Sequence, residues 1–346
     1  MSAVSGEQHP RQNAGTLPAN AEPTTAAWSG RRALWRGALG AAVFGAVVGI
    51  VVWRGGVDLR RALTELAGAH LGYVATALAC YYGSFPLRSY RWSLILRALA
   101  RAPGERRTSP PLSALLRFYL YGWLVNCILP AKLGEIYRAY LAHRRTDLPL
   151  ATVLGTVFVE RTLDLAVLAC LLPALVFALG IGNSVELVSL QLTAGALSLA
   201  SLVGLLLLRK SARTVRRLPA LLQRPAAGLA AGLALGNRPF FEVTLLTVPL
   251  WVLEGLRVYT EARALGIALA LPLSFLIALL AALLTTLPLT PAGIGAVELG
   301  IAATLLLLGF PSEQAIALAL LDRLVAYWSV FPIAGVPWVI ERVRGN

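Results

Sequence analysis

Charge is scarce in this sequence. Of 346 residues only 14% are charged, against about a quarter in an ordinary soluble domain, while 57% are hydrophobic and the mean hydropathy is +0.70. A water-soluble fold could not hide that much apolar surface. Histidine and cysteine number three each. His9, His70 and His143 are far apart, and Cys80, Cys127 and Cys170 fall within or beside apolar blocks at no metal-ligand spacing, so no metal site is expected and the thiols read as buried and structural. Gly293-Ile294-Gly295 has neither a preceding strand nor a following P-loop Lys, which argues against a nucleotide cofactor. No nucleophile stands beside a base, so no catalytic residues are expected. Residues 1–33 lack a short apolar core with a cleavage site and read as a disordered cytoplasmic tail, not a signal peptide.

What the chain does have is apolar blocks of about 20 residues, the length of a bilayer-spanning helix, separated by short basic segments. Helices are the default, because hydrocarbon offers no partner for an unpaired backbone amide. Full crossings are expected near 35–53, 69–96, 149–179, 187–208, 240–265 and 314–340. Two further stretches, 112–141 and 272–309, are interrupted by Pro and Gly and read as re-entrant helix hairpins. The net charge of +14 resides mostly between blocks, where it orients the chain and does not signal nucleic acid. Basic residues before the first block and in 97–117, 132–145 and 209–224 place both termini in the cytoplasm, with 180–186 and 309–313 outside. The expected fold is thus an all-α integral membrane bundle of about six crossings plus two re-entrant hairpins, one transmembrane domain over 34–342.

Two segments resemble each other. NCILPAKLGEIYRAY at 126–140 and TTLPLTPAGIGAVELG at 285–300 each carry Leu-Pro, then Gly, then Glu. Glu135 precedes Arg161 by 26 residues and Glu298 precedes Arg323 by 25, while Leu87-Arg88-Ser89-Tyr90 is answered by Leu256-Arg257-Val258-Tyr259. One hairpin enters from each side, so 69–179 and 240–340 read as inverted-topology repeats, a pattern of secondary transporters. Chance similarity between two Ala/Leu-rich segments is the alternative. Pro130, Gly134, Pro288, Pro291, Gly293 and Gly295 are the expected helix breaks.

Glu160, Arg161 and Asp164 fall in the middle of an apolar block, with Asp322 and Arg323 at the corresponding place in the second half. An ionisable side chain left in lipid costs about 3 kcal/mol or more on insertion scales, so each needs a partner or a wet cavity. These five, with Arg88, Arg91, Asn126, Glu135, Arg138 and Glu298, are the candidates for lining a head-group cavity. Two guanidinium groups, Arg161 and Arg323, suit a lipid phosphate. Structural ion pairing is the competing account. Arg88 and Arg91 also lie toward the end of their block, where a snorkelling Arg is common.

The motifs N-x-x-x-P-x-x-x-G-E-x-x-R (Asn126, Pro130, Gly134, Glu135, Arg138), E-R-x-x-D (Glu160, Arg161, Asp164) and L-P-x-x-P-x-G-I-G-x-x-E (Pro288, Pro291, Gly293, Gly295, Glu298), with the later Asp-Arg pair, resemble the lysylphosphatidylglycerol synthase transmembrane-region family. Its best-known members are the flippase domains of MprF-type proteins. The resemblance covers most of 35–340 and implies a lipid flippase-like transporter in the cytoplasmic membrane, with anionic or phosphate-containing lipids as partners. MprF-type proteins carry an aminoacyl-transferase domain after this region, whereas this chain ends at Asn346, so lysyl transfer is not expected of it. A scaffold or partner subunit of a lipid- or glycan-modifying enzyme is the alternative.

Overall fold

The computed structural model describes residues 59–100, 109–130, 132–178, 196, 199–200, 203, 237–286 and 290–344. The expected tail, the crossing at 35–53, nearly all of that at 187–208, the segments 180–186 and 209–224, and Pro288 lie outside the described residues. All regular structure within them is helical. A short helix α1 (Leu59–Ala67) leads to α2 (Leu71–Ala100), followed by α3 (Leu112–Ile128), α4 (Leu133–His143) and α5 (Leu150–Ala178). The second part comprises α6 (Asn237–Leu245), α7 (Thr247–Ala264), α8 (Leu271–Thr286), a 3-10 turn (Pro291–Gly293), α9 (Ala296–Leu307) and α10 (Ser312–Arg323). α10 runs on through π-helical turns at Leu324–Trp328 and Phe331–Gly335 into α11 (Val336–Val343). Pro332 has no N–H to give the ordinary ladder at the second of these turns.

Length and surface both suit a bilayer. α2 has 30 residues and α5 has 29, so at about 1.5 Å per residue each exceeds the ~30 Å hydrocarbon core. Arg238–Ala264 and Ser312–Val343 are helices long and apolar enough to cross it. Large apolar side chains face outward, among them Phe241 at 69% exposure and Leu307 at 67%, while Arg91, Glu160 and Asp322 are each at 0%. Water would favour the reverse arrangement; lipid favours this one.

Both interrupted segments are broken where the prolines and glycines stand. Leu129, forced away from the helical region by the following Pro130, is extended at φ −115° and ψ 141°, and Lys132 takes a left-handed φ of 54° before α4 begins. The returning α4 packs against α3 so closely that a Cβ on Gly134 would sit 1.8 Å from the Gly122 carbonyl oxygen. The Gly134 N–H, an orphan of the new helix start, donates to Asn126 Oδ1 at 2.8 Å. At the second break Ala292, Gly293 and Gly295 all have positive φ, and Glu298 reaches back to accept the Gly295 N–H at 2.8 Å.

α2 and α7 run antiparallel in close contact. Their register follows from three links: the His70 N–H donates to the Ala264 carbonyl (2.8 Å), Arg88 pairs with Glu254 (2.9 Å) and Arg91 donates to Thr247 (2.9 Å). These are the helices that carry the two Leu-Arg-x-Tyr segments. α3 packs against both the 3-10 turn of the second break and the π-helical region, where Tyr327 donates to the Cys127 carbonyl at 2.8 Å. The two broken regions therefore face one interior. Of the three thiols expected to be buried only Cys127 is; Cys80 is half-buried and Cys170 is exposed on α5, because an apolar block in lipid presents some of its side chains outward.

Candidate functional site

A cavity of about 210 Å³ opens between α2, α5, α7 and the two breaks. Five basic side chains line it: Arg88 from α2, Lys132 from the first break, Arg161 from α5, Arg257 from α7 and Arg323 from α10. Three acidic ones answer them: Glu135, Asp164 and Glu254. Small residues of α8, Ala278, Ala281 and Ala282, leave the room, and Trp123 and Trp251 supply apolar wall. A smaller pocket beside it is lined by Asn126, Glu135 and Arg138.

Behind the wall lies a first ionic network built on α2, α3, α4 and α5. Arg91 donates to both oxygens of Asp164, at 2.6 and 3.3 Å, and its Nε lies 3.5 Å from Glu160. Glu160 accepts from the Tyr119 hydroxyl at 2.6 Å and from Arg138 Nη1 at 2.8 Å. The Arg138 guanidinium rests on the Trp92 and Tyr119 rings, 4.8 and 4.1 Å from their centres, and also holds Glu135 at 2.6 Å. Arg91 and Arg138 thus both find their charge partners inside protein. The snorkelling expected of Arg91 does not occur, because Asp164 and Glu160 on α5 offer it charge partners that lipid could not.

A second network joins α2, α7 and α10. Glu254 receives Arg88 at 2.9 Å and Arg257 at 3.1 Å, so one carboxylate ties the two antiparallel helices. Arg257 also donates to Glu261 at 2.8 Å and to Asp322. Asp322 in turn holds Arg323 through two hydrogen bonds, and a third Arg323 donor points at the Ala292 carbonyl 3.4 Å away.

The candidates from sequence divide by position. Arg88, Glu135, Arg161, Asp164 and Arg323 line the cavity. Asn126 closes the first break while facing the smaller pocket. Arg91, Glu160 and Asp322 are enclosed supports, and Glu298 is a buried cap of α9 that does not line the cavity. Lys132, Glu254, Arg257 and Glu261 belong to the site without having been singled out for it. Glu254, Arg257 and Glu261 recur at 3 and 4 residues on one face of an apolar block, the same signal that marks Glu160 and Asp164. Lys132 was hidden by its place in a basic segment next to Pro130.

Comparison with known proteins identifies the family. The family model described as "Lysylphosphatidylglycerol synthase TM region" matches residues 37–334. A UPF0104 membrane protein of Methanocaldococcus jannaschii is 29% identical over 232 residues, covering 63% of this chain and 94% of that protein. A UPF0104 membrane protein of Methanothermobacter thermautotrophicus is 22% identical over 310 residues, covering 84% and 89%. Glycosyltransferase AglD of Haloferax volcanii is 26% identical over 311 residues, 78% of this chain but only 49% of that protein. With the match spanning both broken regions and every cavity-lining charge, this membrane protein belongs to the lysylphosphatidylglycerol synthase TM region family.

Proposed function

We propose that the protein moves a polar-headed lipid between the leaflets of the cytoplasmic membrane, with its head group passing through the charged cavity and its tails remaining in the bilayer. The cavity carries the case: five basic and three acidic side chains face a space of about 210 Å³ inside an apolar bundle. A head group has no polar partners in hydrocarbon, and this wall supplies them. The basic excess along it favours an anionic or phosphate-bearing head group. In this proposal the halves 69–179 and 240–340 are inverted repeats, the two broken segments are re-entrant, and both termini are cytoplasmic. The antiparallel packing of α2 on α7 supports it, since equivalent helices of inverted halves run oppositely.

A second reading has one observation in its favour: the chain matches about half of a protein named as a glycosyltransferase. On that reading the bundle is a scaffold or partner for a lipid- or glycan-modifying enzyme. Purified protein reconstituted alone into liposomes separates the two. A transporter exposes a head-group-labelled phospholipid of the inner leaflet to an impermeant quencher; a partner subunit leaves it protected.

A further inference from the structure

The five cations of the cavity are unequal in what remains for a ligand. Arg88 is held by Glu254 at 2.9 Å. Arg257 is shared among Glu254, Glu261 and Asp322, and Arg323 is bonded to Asp322 and directed at a backbone carbonyl. Arg161 stands apart. Among the described residues it makes no hydrogen bond, and its ion pairs are long: Glu135 at 3.8 Å and Asp164 at 3.5 Å, both already held, by Arg138 and Arg91, at 2.6 Å each. Lys132 has no ion pair at all among the described residues. Its ammonium lies 5.8 Å from the centre of the Trp123 ring and faces the same cavity.

The unpaired Lys132 and the weakly paired Arg161 share one region. Lys132 occupies the turn between α3 and α4, three residues before Glu135, and Glu135 is the acid that lies across from Arg161. Lys132 adopts a left-handed backbone there, φ 54°, which an L side chain tolerates poorly and which no hydrogen bond of that side chain repays. An ammonium kept from pairing, beside a guanidinium with unused donors, is suited to an anion that accepts from both. A phosphodiester offers two such oxygens.

We infer that Lys132 and Arg161 form a two-cation seat for the phosphodiester of a lipid head group, an assignment that rests on the lipid-transport proposal above and names the part of the cavity that reads the cargo. Among the described residues the second half supplies no equivalent seat, since Arg323 is already bonded to its neighbour Asp322. Recognition is therefore asymmetric although the charged positions recur in both halves.

The test uses purified full-length protein in neutral detergent, titrated with phosphatidylglycerol, with a glucosyl diacylglycerol of the same tails, and with inorganic phosphate, while bound mass and melting temperature are followed. Wild type is expected to bind phosphatidylglycerol and to bind the phosphate-free lipid at least tenfold more weakly. Lys132→Gly and Arg161→Gln should each lose tenfold or more, whereas Arg238→Gln, at an exposed pair on α6, should match wild type. Lys132→Gly removes the cation and relieves the left-handed backbone, so it should fold at least as well as wild type. Equal affinity for both lipids, no binding of phosphatidylglycerol by wild type, or wild-type affinity in Lys132→Gly would overturn the seat. Inorganic phosphate binding as tightly as the phospholipid would overturn its assignment to lipid. Translocation by the same variants in liposomes keeps the two proposals separate. Lipid binding that depends on Lys132 with no translocation by wild type rejects transport alone, and full translocation by Lys132→Gly rejects the seat alone.

Discussion

At the residue scale, the sequence showed which charges were costly but not which were spent. Glu160, Arg161 and Asp164 stand out because they interrupt an apolar block, and that signal needs no partner to be visible. What each one does depends on neighbours from other helices. Arg161 and Arg323 look equivalent in sequence, yet Arg323 is sealed by the adjacent Asp322 while Arg161 comes second at both of its acids. Glu160 is the plainest structural member, fully enclosed between Tyr119, Arg138 and Arg91. Glu160→Ala removes the carboxylate shared by two buried guanidinium groups, leaving Arg91 only the acid Asp164 and Arg138 only the acid Glu135, and should cost about 3 kcal/mol, read as a fall in melting temperature. Tyr119→Phe removes one hydrogen bond to a charged acceptor and should cost about 1.5–3 kcal/mol. A silent Glu160→Ala would show that these guanidinium groups find water or other partners in the membrane.

At the element scale, the breaks were legible because Pro and Gly act locally. Pro130 dictates the extended Leu129, and the glycines around Ala292 accept the positive φ that the second break requires. The close crossing of α3 and α4 was not legible. Gly134 was marked as a break, but its contact with Gly122 arises only because the hairpin folds back, and nothing in the local sequence distinguishes Gly122 from Gly83, where a Cβ would meet nothing within 4 Å. Gly134→Ala should therefore abolish stable expression, while Gly83→Ala in the middle of α2 should be neutral or add up to about 1 kcal/mol. Thermal melts of the two variants decide this, and a well-folded Gly134→Ala would contradict the crossing. Glu298 shows a second role for a motif residue. Its place in the recurrent motif made it a cavity candidate, but its carboxylate caps Gly295, so Glu298→Ala should cost about 0.5–2 kcal/mol through a lost cap.

At the scale of the whole molecule, an apolar exterior around a charged interior is what composition alone demanded, and helix boundaries for the described blocks fall within a few residues of those expected. The pairing of α2 with α7 could not be read, because it is set by side-chain links such as Arg88 to Glu254 that join segments 166 residues apart. The proposed orientation across the membrane rests on the distribution of Lys and Arg. A cysteine in place of Arg216 in an otherwise cysteine-free protein should resist impermeant maleimide added outside intact cells, and labelling there would invert the topology. The central claim is that the charged cavity serves a passing head group and does more than hold helices together. Lipid translocation and melting temperature measured on the same reconstituted Arg161→Lys protein test it most directly. Lys keeps the charge and loses the bidentate fork, so translocation should fall tenfold or more at an unchanged melting temperature; translocation at the wild-type rate would contradict the account.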